Sequence, residues 1–105
     1  MTDNHFYHSV YFWMREGGDA DDAAQTAEGC RTILTGIPGI VRMTAGVPAG
    51  TAREVVDNTY GTALLIEFEN KEAYDVYEDH PEHLRFIAEH HHRWSRVQIY
   101  DTISA

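Results

Sequence analysis

The 105-residue chain has one cysteine, three prolines and only eight basic residues against 17 acidic ones. A lone cysteine, Cys30, excludes an internal disulfide and fits a reducing compartment. The formal charge of -9 repels phosphate backbones and anionic lipids, so we expect neither nucleic-acid nor membrane binding. No apolar run approaches the roughly 20 residues of a membrane span. The N-terminus also lacks the basic segment and cleavage site of a signal peptide, and we expect a cytoplasmic protein.

The composition predicts one folded domain over residues 1–105, because 43% of the residues are hydrophobic and 11% are aromatic. Aromatic, β-branched or alternating apolar segments predict four strands, over residues 5–14, 39–47, 62–70 and 96–103. In the third of these, Glu67 and Glu69 alternate with apolar residues. We therefore expect that strand to be half exposed.

Helices are predicted between the first two strands and between the last two. Apolar residues recur at helical spacing from Ala23 to Leu34, after an acidic loop that suits a helix N-terminus. A second helix is predicted over 71–80 and resumes over 81–94, because Pro81 breaks a helix but is favourable at a first helical position. The element order is therefore βαββαβ.

This order predicts an α+β, ferredoxin-like fold, with a four-stranded antiparallel sheet and the helices on one face. The first strand is bulky on both faces: His8 lies with apolar residues on one, and Tyr7, Tyr11 and Trp13 lie on the other. We expect the helices to cover the first face and a second copy of the chain to cover the second, which makes a homodimer. Alternatively, the 48–60 connection folds over the three aromatic residues.

Four segments together resemble the stress-responsive A/B-barrel (Dabb) family: "HSVYF" at 8–12, "GIPGI" at 36–40, "YEDHPEHLRF" at 77–86 and "RWSRVQIYD" at 93–101. The resemblance covers nearly the whole chain. It implies a dimeric α+β barrel, which agrees with the fold and the homodimer expected from the strand pattern.

The same resemblance implies candidate site residues. The family includes stress-linked plant proteins, bacterial proteins without an assigned activity, and a plant polyketide cyclase that uses a histidine and a tyrosine for an aldol-type ring closure. These two residues fall on His83 and Tyr77, and a first-strand histidine falls on His8. Two other polar pocket residues of the cyclase are replaced here by Cys30 and Thr62, so this chain departs from the cyclase.

An imidazole can take and give a proton near neutral pH, as enolisation and aldol steps require. His83, with Tyr77 and His8, is therefore the candidate acid/base group. In the structural alternative, these side chains are hydrogen-bonded and only fix the packing of the helix and strand. Phe86 and Trp94 flank the expected pocket and favour a flat apolar or aromatic ligand, although both also suit a plain core.

We expect neither a metal site nor a cofactor. Successive helical residues point about 100° apart, so the run His90–His92 cannot converge on one ion. No HExxH or Cys/His framework is present. We place His91 on the apolar side of the helix and its two histidine neighbours in solvent, and Cys30 is expected to be a buried structural thiol.

Three functions remain open from the sequence. The first is a small-molecule pocket protein with cyclase-, lyase- or isomerase-like acid/base chemistry on a carbonyl or polyketide-like compound. The second is a protein with the same pocket that binds a ligand without turnover. The third is a structural or stress-protective dimer whose cavity is incidental.

Overall fold

A computed structural model describes residues 4–105, so the first three residues of the predicted domain lie outside the described part. The elements are β1 (Phe6–Met14), α1 (Ala20–Gly29, extended by a π-helical turn, Cys30–Leu34), β2 (Ile40–Gly46), β3 (Thr62–Phe68), α2 (Lys71–Asp79), α3 (Pro81–His90, followed by a 3₁₀ turn, His91–Arg93) and β4 (Trp94–Ile103). The four antiparallel strands form one sheet in the order β2-β3-β1-β4, which confirms the ferredoxin-like fold. No helix in this part of the chain is both long and apolar enough to cross a bilayer.

Each α-helix begins at a side chain that caps its free backbone N–H groups. Asp19 accepts hydrogen bonds from the backbone of Asp21 and Asp22 at the start of α1, and Asn70 does the same for α2. At the start of α3, the ring of His80 accepts a hydrogen bond from the backbone of Glu82 at 3.1 Å. Pro81 follows at the first helical position and has no N–H to satisfy. The His-Pro step therefore ends α2 and begins α3, as the sequence predicts.

The core lies between the helices and one face of the sheet. The alternation predicted for β1 is confirmed, since Phe6, His8, Val10 and Phe12 are all buried. The other buried apolar residues that meet them are Cys30, Ile33, Leu34, Ile37, Leu64, Ile66, Phe68, Tyr77 and Phe86.

The outer face of β3 differs from the sequence-based expectation. Glu67 is buried, at 9% exposure, with one carboxylate oxygen on the ring of His5 and the other 2.9 Å from Arg42 Nε. Leu65 is instead the exposed residue of this strand, at 41%. The prediction of a half-exposed strand was therefore wrong at Glu67, whereas Glu69, just after β3, is exposed. The reason is that β3 lies between β2 and β1, so neighbouring side chains cover much of its outer face.

The 48–60 connection covers one half of the sheet's outer face. Trp13 Nε1 donates a hydrogen bond to Thr59 Oγ1 at 2.9 Å, and the ring of Tyr60 meets that of Tyr11 edge-on, with centroids 5.0 Å apart. Tyr11 and Trp13 are therefore half-buried within a single subunit. Tyr7, at the other end of β1, stays exposed. The alternative cover weighed from the sequence thus holds for Tyr11 and Trp13 but not for Tyr7.

The end of α3 also differs from the prediction. The helix stops at His90 rather than at residue 94, and Trp94 is the first residue of β4. His90 is half-buried and stacks on Phe86, whereas His91 is exposed. The expected positions of His90 and His91 were therefore reversed, because the inward face of α3 follows the spacing 83-86-90. Within residues 4–105, no three His, Cys, Asp or Glu side chains are grouped to hold a metal ion.

Candidate functional site

A cleft of about 230 Å³ opens between the helix-side face of β1 and β4 and the helices α2 and α3. β4 is an edge strand that α3 does not fully cover, so Val97 and Ile99 remain 40% and 45% exposed at the mouth. The remaining apolar walls are formed by Val10, Phe12, Leu64, Phe86, Ile87 and Trp94. Five side chains with polar groups also line the cleft: His8, Tyr74, Tyr77, Glu78 and His83.

His8 is buried in the cleft wall and paired with Asp101. Its Nδ1 lies 2.5 Å from Asp101 Oδ1, and because a carboxylate only accepts, Nδ1 carries the proton. Burial lowers the pKa of His8 below its ordinary value, although the bond to Asp101 and its negative charge act in the opposite direction. The imidazole is therefore neutral at physiological pH, and its Nε2 has a free lone pair. A buried, oriented imidazole of this kind is suited to general-base chemistry.

His83 is half-buried at the start of α3. Its Nδ1 lies 2.9 Å from the backbone oxygen of Glu78 and must donate, because a carbonyl oxygen only accepts. The imidazole ring also lies against the ring of Tyr77, with centroids 4.3 Å apart. The break between α2 and α3 creates this arrangement, since it brings the start of one helix back over the end of the other. Nε2 is left as the nitrogen of His83 that can meet a ligand.

Tyr77 and Tyr74 add two phenols to the same cleft. Tyr77 is only 1% exposed, and burial raises the pKa of its hydroxyl above the ordinary value, with smaller contributions from Cys30 and Tyr74. Burial, together with the nearby carboxylates of Asp101, Glu78 and Asp75, raises the pKa of Tyr74 to about 12. Both phenols therefore stay protonated at neutral pH and serve as hydrogen-bond donors rather than bases.

Of the other four pocket residues expected from the sequence, two line the cleft and two do not. Phe86 and Trp94 line the cleft, and their ring centroids are 5.6 Å apart. Thr62 and Cys30 do not line it: both are fully buried, and Thr62 donates a hydrogen bond to the backbone oxygen of Ala23. Burial also raises the pKa of the Cys30 thiol to about 12, so it stays uncharged. Their expected place on the pocket surface was wrong, because both point into the packed layer beneath α1.

Sequence reasoning missed Asp101, Glu78 and Tyr74. A signal for Asp101 was available, because it continues the two-residue alternation of Val97 and Ile99 along β4. Its partner was not readable, since the pairing of His8 with Asp101 depends on the register between the first and last strands. Glu78 and Tyr74 lie at i+1 and i−3 relative to Tyr77, and Tyr74 therefore shares its helix face.

Comparisons with known proteins agree with this fold. The family model described as Stress responsive A/B Barrel Domain matches residues 6–104. A dimeric ferredoxin-like protein of unknown function from Thermobifida fusca is 17% identical, with a TM-score of 0.80, over 97% of this chain and 92% of that one. A Dabb family protein from Mesorhizobium loti is 19% identical, with a TM-score of 0.78, over 98% and 99% of the two chains.

A hydroxynitrile lyase from Passiflora edulis is 15% identical, with a TM-score of 0.79, over 96% of this chain and 94% of that one. A search of curated protein sequences found no match. The structural similarities establish the fold alone, and the family model adds a match along 99 of the 105 residues. The chain therefore belongs to the stress responsive A/B barrel domain (Dabb) family.

Proposed function

We propose that this protein is a small-molecule enzyme that transfers protons on a carbonyl compound bound in the cleft. One observation carries the proposal: His8, His83 and Tyr77 line the same apolar cleft. Each imidazole is hydrogen-bonded through Nδ1, which leaves Nε2 for a ligand, and burial keeps the phenol protonated. A base, a second proton carrier and a hydrogen-bond donor are the groups that enolisation requires. The fold shared with the Passiflora edulis hydroxynitrile lyase supports catalysis as a role for such a cleft.

His8 is the general base in this proposal. Its Nε2 takes a proton from the carbon beside the carbonyl group, the C–H electron pair forms the C=C bond of an enolate, and the carbonyl π electrons move to oxygen. The hydroxyl of Tyr77 donates a hydrogen bond to that oxygen and stabilises its negative charge. Asp101 orients the imidazole and stabilises the imidazolium that forms.

His83 is the second proton carrier. In its protonated form it gives a proton from Nε2 to the product oxygen or carbon, and the backbone oxygen of Glu78 holds the ring in place. An enolate that attacks a second carbonyl group of the same molecule would give a cyclase-like ring closure, whereas delivery of a proton to a different atom or to the opposite face of the enolate gives an isomerase-like reaction. The family resemblance implies that Cys30 and Thr62 replace two polar pocket residues of the plant cyclase, and neither lines this cleft. The absence of those two polar groups from the cleft lining supports proton transfer on a carbonyl compound rather than that ring closure.

The test is proton exchange on a simple ketone. Acetophenone in D₂O is expected to exchange its methyl hydrogens faster with the protein than with buffer, as measured by NMR. His83→Ala is expected to lower the catalysed rate about tenfold, less than the roughly 10²- to 10⁴-fold effect typical of an acid/base group, because His8 takes the first proton in either case. Leu84→Ala, an exposed neighbour on α3, is the matched control. Acetophenone that binds without exchange would support the alternative of non-catalytic binding, and the absence of both would favour a structural dimer.

We further propose that the protein is a homodimer that closes over the sheet's outer face. The support is the open half of that face, where Tyr7, Leu65 and Tyr100 are 38%, 41% and 60% exposed. The Thermobifida fusca neighbour and another from Bacteroides fragilis are described as dimeric. The 48–60 connection already packs on Tyr11 and Trp13, so the centre of the proposed interface moves from these two residues toward Tyr7. We also propose a cytoplasmic location, which the single buried thiol supports.

Light scattering tests the dimer. The wild-type mass is expected to be twice the 12.0 kDa of the chain. Leu65→Glu places a charge in the proposed interface and is expected to raise the dissociation constant by about 100-fold or more. Leu84→Glu, which changes an exposed leucine on the helix side, is expected to leave the dimer intact. A wild-type mass of 12.0 kDa at micromolar concentration would contradict the proposal.

A further inference from the structure

The charges around the cleft point to a class of substrate. We infer that the cleft accepts uncharged aromatic carbonyl compounds and rejects anionic ones, and that Glu78 sets this preference. The inference rests on the proposed function, because it concerns the same cleft and the same carbonyl chemistry. It goes further because it assigns a specificity role to a side chain that takes no part in the proton transfers.

The cleft offers no lysine or arginine to an anionic ligand. None of the eight Lys and Arg side chains lines it, although all eight fall within the described residues. Arg85 on α3 pairs instead with Glu82 and Glu89 on the exposed side of the helix, at 2.7 and 2.9 Å. A carboxylate or phosphate group that entered the cleft would therefore lose its hydration without gaining an ion pair to a lysine or arginine.

The fixed charges near the cleft are negative. Glu78 lines the cleft, and Asp101 lies behind His8, 2.5 Å from its ring. The two carboxylates also act on a third group, because both help to raise the pKa of Tyr74 to about 12. A negative charge on a phenol in this cleft is thus disfavoured, and the same field acts on a bound anion. Asp101 is hydrogen-bonded to His8 and does not itself line the cleft, so Glu78 is the carboxylate that an entering ligand meets.

The walls of the cleft favour a flat, uncharged ring. The rings of Phe12 and Trp94 have centroids 4.5 Å apart, Phe86 lies against both, and Tyr74 and Tyr77 also line the cleft. An aromatic ligand can pack on these surfaces, and its carbonyl oxygen needs only the few donors that the cleft supplies.

Three ligands of the same shape test the inference: benzamide, benzoate and benzamidinium have equal numbers of heavy atoms and differ in charge. Their dissociation constants are measured by NMR titration at neutral pH on the wild type, Glu78→Gln and Glu72→Gln. Wild type is expected to bind benzamide about tenfold or more tightly than benzoate. Glu78→Gln is expected to reduce this preference by about threefold or more, because one nearby charge is removed. Glu72→Gln removes the same charge from another face of α2 and is expected to keep the wild-type ratio.

The outcomes separate the inference from the proposed function. Equal or tighter binding of benzoate would overturn the inference while leaving a ligand-binding cleft. Benzamidinium that binds no more tightly than benzoate would also overturn it, because carboxylates that repel an anion attract a cation. If Glu78→Gln binds benzamide over benzoate with the wild-type preference, Glu78 does not set the specificity, and that outcome would overturn its assigned role. Failure of all three ligands to bind would overturn the proposed cleft and the inference with it.

Discussion

Replacing His8 with alanine is expected to lower the catalysed exchange rate of acetophenone by about 10²- to 10⁴-fold, the usual contribution of a general base. The expected loss exceeds that for His83→Ala because His8 is paired with a carboxylate, whereas His83 is held by a backbone carbonyl. The carboxylate fixes the tautomer that leaves Nε2 free and also stabilises the imidazolium formed when the base takes its proton. Wild-type rates in His8→Ala would remove His8 from the mechanism.

Asp101→Asn tests the same pair through the pH dependence of the rate. The bond to Asp101 and its charge act to raise the pKa of His8, against the larger effect of burial. Loss of the charge therefore lowers the pKa of His8 further. His8 works as a base only when neutral, so activity falls as the pH drops through this pKa, and the acid limb of the profile moves to lower pH in the variant. The weaker base should also reduce the plateau rate by about tenfold.

A matched variant separates this local effect from the protein's net charge. Asp79→Asn removes one negative charge at the exposed end of α2, where Asp79 does not line the cleft. Its pH profile is expected to follow that of the wild type. A similar shift in both variants would assign the effect to overall charge and contradict a specific role for Asp101 as a positioning residue.

Much of the fold was readable from local sequence patterns. The apolar alternation of β1 and the proline break at Pro81 each depend on residues near in the chain, and both occur as predicted. These two predictions succeeded because a strand presents its faces at a fixed spacing and proline cannot continue a helix. The expectation that Tyr77 and His83 share a cleft with His8 came from the family resemblance, since a spacing of six residues across the proline break did not pair them, and all three line the cleft.

The features that the sequence could not predict depend on contacts between segments that are distant in the chain. The partner of His8 is set by the register of β1 against β4, and the two residues are 93 positions apart. Burial of Glu67 follows from the central place of β3 in the sheet, which strand order decides and local alternation does not. The family resemblance implied pocket positions for Cys30 and Thr62, but both face the layer beneath α1. A family resemblance transfers positions along the chain, whereas the volume of neighbouring side chains decides which of them reach a cleft.

Phe68→Ala is expected to destabilise the protein by about 3–5 kcal/mol, the range for removing a buried phenylalanine. The ring of Phe68 is fully buried and meets Tyr77 edge-on, with centroids 5.1 Å apart, and also packs edge-on against Tyr74 and Phe6. The loss would be a large part of the roughly 5–15 kcal/mol that stabilises a typical domain. Urea unfolding at a fixed protein concentration measures it, since dimerisation would make stability depend on concentration. Val55→Ala, at a 78% exposed position, is expected to change stability by less than about 0.5 kcal/mol.

Phe86→Ala provides a sharper comparison, because Phe86 is equally buried but borders the cleft. Both substitutions lose the free energy of transferring the same ring from water. Removing Phe68 also leaves an enclosed cavity, whereas removing Phe86 only enlarges a space that solvent already reaches, so the cavity term is smaller. Phe68→Ala is therefore expected to be the more destabilising by about 1 kcal/mol or more. If the two losses were equal, the space at Phe86 would be closed in solution, and the cleft would not be open to a ligand from that side.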